Sequence, residues 1–422
     1  MSHTQALLDF AAAPHHLPEA VRADTLRLFG DTLAVGAAGA AAPGAEALLS
    51  VLRGWGAGEE ARLLSGGRAP APSAAFFNGF AVHCLEWDAV HEPAVVHALS
   101  VVTAALLAAS DRAGGSEPEA LLTARAVGVD VASGLGLAAT GPMAFFRPAT
   151  AGVIGAALAV ARLEGLSRAQ MADVLGLAYS FAGGTMQAHV EASIALPLQI
   201  AQAGRSAITA ADLASAGKDG PHDVLEGPFG YAALIEPLDL ARYTATLGQV
   251  WRICEVSIKP FPSGRASHGA LGELQSLGLA AETVEAIELF APPLIHRLVG
   301  RPFKSDASPS YQRLCLPFLA PLMLRGGRID PRLTETDAAL AARVTVTLDG
   351  NPDGNALGPQ RLVVTLCSGE VIERLIPATL GSPEAPLSPA QAAAKYQLCR
   401  ELAPGADPRI FDDPLAFATE PK

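Results

Sequence analysis

Cysteine, lysine and charge are all scarce in this 422-residue chain. The five cysteines (84, 254, 315, 367, 399) are scattered and form no CxxC pair. That excludes a disulfide framework or a zinc ribbon and fits a reduced, cytoplasmic compartment. Charged residues make up 17% of the chain, against about 25% in an ordinary globular domain. The net charge is −12 and no basic run occurs, so nucleic acid is not an expected partner. The uncharged stretch Ala149–Ala161 has 13 residues, short of the roughly 20 that a membrane span needs, so no membrane partner is expected. The start, Met1-Ser2-His3-Thr4-Gln5, has no basic segment of the kind that opens a signal peptide. No Walker A loop, no strand-borne GxGxxG and no GxSxG elbow is present, so phosphate-loop, dinucleotide and serine-hydrolase chemistry find no support.

What remains is apolar and helical. Half of the residues are hydrophobic and the mean hydropathy is +0.30, enough apolar surface to offset ordering entropy and to supply a subunit interface. Residues 1–247 read as helix after helix, rich in Ala, Leu and Val, with a capping box at Ser167 and Gln170. Near Val250 the pattern changes. Thr283–Phe290, Arg343–Leu348, Arg361–Cys367 and Val371–Ile376 alternate as strands do, and turn-rich segments separate them. Ser388, Pro389 and Gln391 start a last helix. The fold class is therefore mainly α with an α+β insertion. Residues 1–247 plus 388–422 form an all-helical domain, and 248–387 form a smaller α+β domain with an antiparallel sheet.

Three segments concentrate polar groups. His83, Glu86, Asp88, His91 and His97 fall within fifteen residues, ahead of the uncharged stretch Ala98–Ala109. His97 thus sits at or just before a helix N-terminus, where the dipole disfavours imidazolium and leaves the neutral base that proton transfer near pH 7 uses. A capping or core histidine is the structural alternative, and a zinc site is a third reading whose spacing matches no standard ligand set. Arg147, before Pro148, lies at a second helix N-terminus and offers a bidentate grip on a carboxylate; an ion pair with an acid is the alternative. Lys259, Arg265 and His268 cluster around a proline-stiffened loop with Gly264 at its turn. His189 and Glu191 beside Gly183-Gly184 form a fourth, weaker candidate. If the helix starts converge, the cavity favours a small polyanion and polarises its carboxylates toward proton loss from the adjacent carbon.

The stretches Asn78-Gly79-Phe80-Ala81-Val82-His83 and Leu85-Glu86-Trp87-Asp88, the pair His91 and His97, and Lys259-Pro260-Phe261-Pro262 through His268 together resemble the MmgE/PrpD family. Its members include 2-methylcitrate dehydratase, cis-aconitate decarboxylase and iminodisuccinate epimerase. The resemblance implies a helical domain built from both chain ends with an inserted α+β domain. It also implies a homodimer, a site between the domains, and no metal or organic cofactor. Family functional positions map onto Asp88, His97 and Lys259. This chain departs from the pattern at Glu86 (for Asp), Ala89 (for Asp), Arg147 (for His), Gln199 (for Lys), Gly264 (for Cys or His) and Pro317 (for Tyr).

The expected activity is a cofactor-independent lyase or isomerase on a small di- or tricarboxylate, with 2-methylcitrate dehydratase-like loss of water first and decarboxylation or epimerisation as alternatives. His97, Asp88, Lys259, His91 and His268 are the catalytic candidates. Arg147, Arg265, Gln199, His189 and Glu86 are the substrate-binding ones. Two other classes stay open: a non-catalytic carboxylate-binding protein on the same scaffold, and a metal-dependent hydrolase using the His83–His97 cluster.

Overall fold

Local sequence fixes the helix starts. Ser167 and Gln170 exchange the two hydrogen bonds of a capping box at the head of Arg168–Ser180, and Ser388 and Gln391 do so for Pro389–Leu402, with Pro389 first in that helix. The computed structural model describes every residue except Met1, Thr334 and Lys422.

Helices Ala98–Arg112 and Arg147–Leu163 are buried almost end to end, which is why their middles carry no charge on any face. Arg147–Leu163 crosses Pro118–Ala138 where small residues let the backbones meet. A Cβ on Gly128 would stand 2.8 Å from the Gly155 carbonyl oxygen. Pro118–Ala138 has the length and hydropathy of a membrane span, yet nearly all of it is covered by neighbouring helices.

Strands are few. β1 (Ala61–Arg62) pairs with β2 (Arg68–Ala69), and β3 (Val90–His91) pairs antiparallel with β4 (Val256–Ser257). The main sheet holds β5 (Val284–Ala291), β6 (Val344–Leu348), β7 (Gln360–Leu366) and β8 (Val371–Ile376) in the order β6-β5-β7-β8. The expected antiparallel sheet needs one correction. β5 and β7, and β7 and β8, are antiparallel, but β5 and β6 are parallel. Between β5 and β6 the chain passes through Pro293–Val299 and Leu316–Gly326, a crossover long enough to bring β6 back in the same direction.

Two hydrophobic cores result. One collects side chains from Leu7 to Ile258 and adds Ala403, Ile410, Phe417 and Ala418 from near the C-terminus. The other runs from Phe261 to Ile376. Helix Pro389–Leu402 returns to Glu19–Ala40, with Leu398 and Cys399 against Ala34, Val35 and Trp87 and a Lys395–Asp31 ion pair at 2.6 Å. The architecture is the mainly α body with a smaller α+β part that the sequence predicts. The change of core falls between Ile258 and Phe261, so Lys259 stands on the seam.

Candidate functional site

The turn after helix Ala71–His83 organises the seam. Glu86 takes a left-handed backbone (φ 53°), which folds the chain back so that His83, Glu86 and Asp88 face one region. Trp87 anchors the turn by donating from its indole to the Pro260 carbonyl at 3.2 Å. That bond brings the neighbouring Lys259 over Glu86, where its Nζ donates to the Glu86 carbonyl at 3.0 Å and to the carboxylate at 3.3 Å. Pairing of Val90 with Ser257 and His91 with Val256 holds the same two segments together.

Asp88 is fully buried and is the hub. Its carboxylate accepts from His83 Nδ1 at 3.0 Å, from His97 Nδ1 at 3.0 Å and from the Ser100 hydroxyl. Burial alone would raise this carboxyl, but the charges and hydrogen bonds of the two imidazoles hold it well below its usual range. Because Asp88 is ionised, the proton in each of these bonds belongs to the imidazole, and Nε2 is the reactive edge of both rings. His97 is the N-cap residue of helix Ala98–Arg112. Burial, and then Lys259, lower its pKa more than Asp88 raises it. In His83 burial also opposes the charge, but Asp88 and Glu86 together win and raise the pKa. Two rings 4.8 Å apart and sharing one carboxylate are thus pushed in opposite directions. Glu86 is pressed upward by burial, then pulled further down by Lys259, His83 and His97, to about 2.

These groups open on a cavity of about 770 Å³, part of it open to solvent, within the usual range for a small-molecule site. His83, Glu86 and His97 form one wall, with Phe146 and Pro148, Gly264 to Ala266, and His189 around them. All three polar segments singled out in the sequence therefore border one space. His189 is neutral there, its pKa lowered to about 4 by burial and by Arg301, while Glu191 stays exposed and bonds Gln187. Arg265 reaches the cavity, but its guanidinium is occupied: it donates to Glu92 at 2.7 Å and to the Leu380 carbonyl at 2.6 Å.

Six candidates do not border the cavity: Asp88 and Lys259 lie fully buried behind its wall, against His83, His97 and Glu86, and the other four are engaged elsewhere. Arg147 starts its helix as expected, but its side chain is buried in an ion pair with Glu236, with Nε at 2.8 Å, and it also donates to the Ala94 carbonyl at 3.2 Å. Its donors are spent, so it is a structural cation and not a carboxylate clamp. His91 is turned away, with Nε2 2.9 Å from Glu255 and Nδ1 accepting from the Ala94 amide. His268 is fully buried behind Arg265, with Nε2 on Ser263 at 3.1 Å and Nδ1 3.4 Å from the Arg265 guanidinium. Burial, Arg265 and Lys259 push its pKa well below the usual value. It positions Arg265 instead of exchanging protons with a ligand. Gln199 borders a different pocket and donates to the Thr185 carbonyl at 3.1 Å.

The residue that the sequence reading placed in the polar cluster but left out of the catalytic and binding candidates is His83. Its signal was its place five residues before Asp88, at the end of an apolar helix. His83, Asp88 and His97 also offer three metal-ligand atoms within 4.8 Å of one another. Asp88, however, spends both oxygens on hydrogen bonds to the rings and Ser100, so a metal bound through it would displace that network.

Comparison with known proteins adds the rest. Cis-aconitate decarboxylase of Homo sapiens is 29% identical over 292 residues, covering 64% of this chain and 58% of that protein. The Mus musculus enzyme of the same name is 28% identical over 246 residues, 56% of this chain and 49% of its own length. A cis-aconitate decarboxylase-like protein oryM of Aspergillus oryzae is 25% identical over 283 residues, 63% and 58% of the two chains. The matches thus span less than two thirds of each relative. The MmgE/PrpD N-terminal domain model matches residues 7–241, a segment that includes His83, Glu86, Asp88, His97, Arg147 and Glu236. The chain belongs to the MmgE/PrpD family.

Proposed function

We propose that this protein is a lyase acting on a carboxylate substrate, with His97 as the base, His83 as the acid and Lys259 as the group that steadies the substrate carboxylate. The observation that carries the reading is the His83–Asp88–His97 arrangement, one carboxylate holding two imidazoles whose pKa values move apart. Groups driven apart in this way are suited to take and give protons in one catalytic cycle.

His97 Nε2, neutral and facing the cavity, removes a proton from the carbon beside the carboxylate. The charge that develops on the carboxylate oxygens is met by Lys259, which stands at the seam with Glu86. His83 Nε2 returns a proton to the departing group. Asp88 keeps both rings in the tautomer that leaves Nε2 available, and Ser100 fixes Asp88 in turn.

The names of the relatives favour loss of CO2 as the reaction. In that case the C–C bond to a carboxylate breaks, and His83 protonates the resulting carbanion. The presence of both an acid and a base favours loss of water as the second reading, because C–O elimination uses both groups and decarboxylation needs only the acid. Proton NMR in D2O with a panel of hydroxy, keto and unsaturated acids separates the two. New vinyl signals from a hydroxy acid mark dehydration, and conversion of an acid to the C–H signals of a product one carbon shorter, with a bicarbonate signal in a parallel 13C spectrum, marks decarboxylation. The lyase reading fails if the wild-type protein converts none of the panel, or if His97→Asn converts it as fast as the wild type.

A further inference from the structure

One histidine of the cavity has a ring that no other residue claims. The core histidines His91 and His268 are each tied to an internal partner, Glu255 and Ser263. His83 and His97 share Asp88. His189 borders the cavity from the short helix Gln187–Val190. It is only 7% exposed, yet among the described residues nothing hydrogen-bonds its imidazole. Arg301 reaches its backbone alone, donating to the His189 carbonyl at 3.2 Å. The adjacent acid, Glu191, bonds Gln187 instead. A buried polar ring without a partner is costly and uncommon, and a ligand is one way to satisfy it.

Other polar groups on the cavity are already committed. Arg265 is held by Glu92 and by the Thr379 and Leu380 carbonyls, and Glu92 also takes the Ser257 hydroxyl. Glu86 is held by Lys259, and Gln360 donates to the Leu357 carbonyl at 3.2 Å. Met186, Leu196 and Leu298 give the wall hydrocarbon. A single hydrogen bond in such surroundings decides how a ligand is oriented. The electrostatics say which kind of bond. Burial, and then Arg301, lower the His189 pKa; Glu86 opposes them and Arg297 adds to them. The ring thus keeps one proton at neutral pH, and either nitrogen can carry it because neither is tied. The positive field of the two arginines favours an electron-rich acceptor over a donor.

We propose that His189 is a specificity-determining residue of this site. Its imidazole N–H holds an oxygen of the substrate, a carboxylate or a carbonyl, other than the group on which His97 acts. Arg301 is the positioning residue behind it. The proposal rests on the lyase reading for its choice of site and adds how the substrate is oriented there.

The ring serves as its own reporter. The full chain, labelled with 15N at histidine, is titrated by NMR with cis-aconitate and with the matched pair succinate and succinamide; affinities are measured by calorimetry and conversion is followed separately. Cis-aconitate is expected to shift the His189 ring nitrogens. A bound carboxylate also moves the His189 titration, near pH 4 without ligand, toward neutral pH. Succinate acting in this way and succinamide not doing so identifies the oxygen as a carboxylate; the reverse identifies a carbonyl. His189→Phe, which keeps a ring of similar volume, should weaken cis-aconitate binding by about tenfold or more, and His189→Asn, which keeps a donor, should recover part of the loss. In turnover His189→Phe raises KM more than it lowers kcat. Arg301→Gln, which can still bond the His189 carbonyl but has no charge, should raise the His189 titration in the free protein and weaken succinate severalfold more than succinamide. A His189 ring unperturbed by all three probes, or cis-aconitate binding to His189→Phe within twofold of wild type, overturns the proposal. Conversion of an acid in that event leaves the lyase reading standing. Binding through His189 with no product from any acid keeps the proposal and sinks the lyase reading.

Discussion

The Lys259–Glu86 corner of the cavity and the Arg147–Glu236 pair at the neighbouring helix start use the same chemistry. Each takes a cation and a glutamate out of water. Arg147 is closed on every side, its guanidinium divided between both Glu236 oxygens and a backbone carbonyl. Lys259 is fully buried, but its partner Glu86 keeps an edge on the cavity. The difference lies in what each pair leaves unsaturated. A buried charge serves a ligand only when its internal partner leaves a direction vacant. A sealed pair is a brace, and breaking it is felt in stability.

The strongest way to break the comparison is at the open corner. His97→Asn or Asp88→Asn is expected to lower turnover by about 10²–10⁴-fold with the circular dichroism spectrum unchanged; a fall of less than tenfold removes the two-histidine assignment. At the sealed pair, Glu236→Ala leaves Arg147 buried alone and is expected to cost about 3–5 kcal/mol in urea unfolding. Replacing both partners, Arg147→Met with Glu236→Leu, should recover most of that loss, because well-packed hydrocarbon often substitutes for a buried pair. If Glu236→Ala instead stops turnover and spares stability, the sealed and open classes merge.

The third test is pH. His97 must be neutral and its pKa is lowered, so kcat/KM is expected to fall on the acid side at a pH below 6.5. His83 must be protonated and its pKa is raised, so the alkaline fall comes above 6.5. The two limbs belong to the coupled pair and not to either ring alone. Glu86 has its own signature. Its folded pKa, about 2, lies below its ordinary 4.5, so its stabilisation is complete above pH 4.5 and is lost as pH falls toward 2. Glu86→Gln should flatten that part of the acid unfolding curve. The smallest effect is expected at Gln199→Ala, within about twofold in turnover and about 0.5 kcal/mol in stability, because Gln199 touches neither pair.

Much of this was legible in the sequence because it is local. Both capping boxes, the buried helices and the positions of β5 to β8 follow from residues a few positions apart. His97 at a helix start, Asp88 and Lys259 could be singled out on the same ground. What was hidden depends on distant partners. The parallel neighbour of β5 is chosen by packing across a long crossover. The fate of Arg147 was decided by Glu236, 89 residues away, in a stretch with nothing to mark it. His91 resembled His97 until Glu255 claimed it, and His268 resembled a proton donor until Ser263 and Arg265 enclosed it. His83 lost out to both because a histidine ending an apolar helix reads as core.

The tie between Lys395 and the Trp87 carbonyl spans 308 residues and has a bearing on biosynthesis. The turn that carries Glu86 and Asp88 leaves the ribosome early, but the helix that backs it is made only after the whole α+β part has been translated. Until then the underside of that turn lacks its cover of Lys395, Leu398 and Cys399. The nascent helical body must therefore wait with apolar surface showing, a state that invites aggregation or chaperone binding.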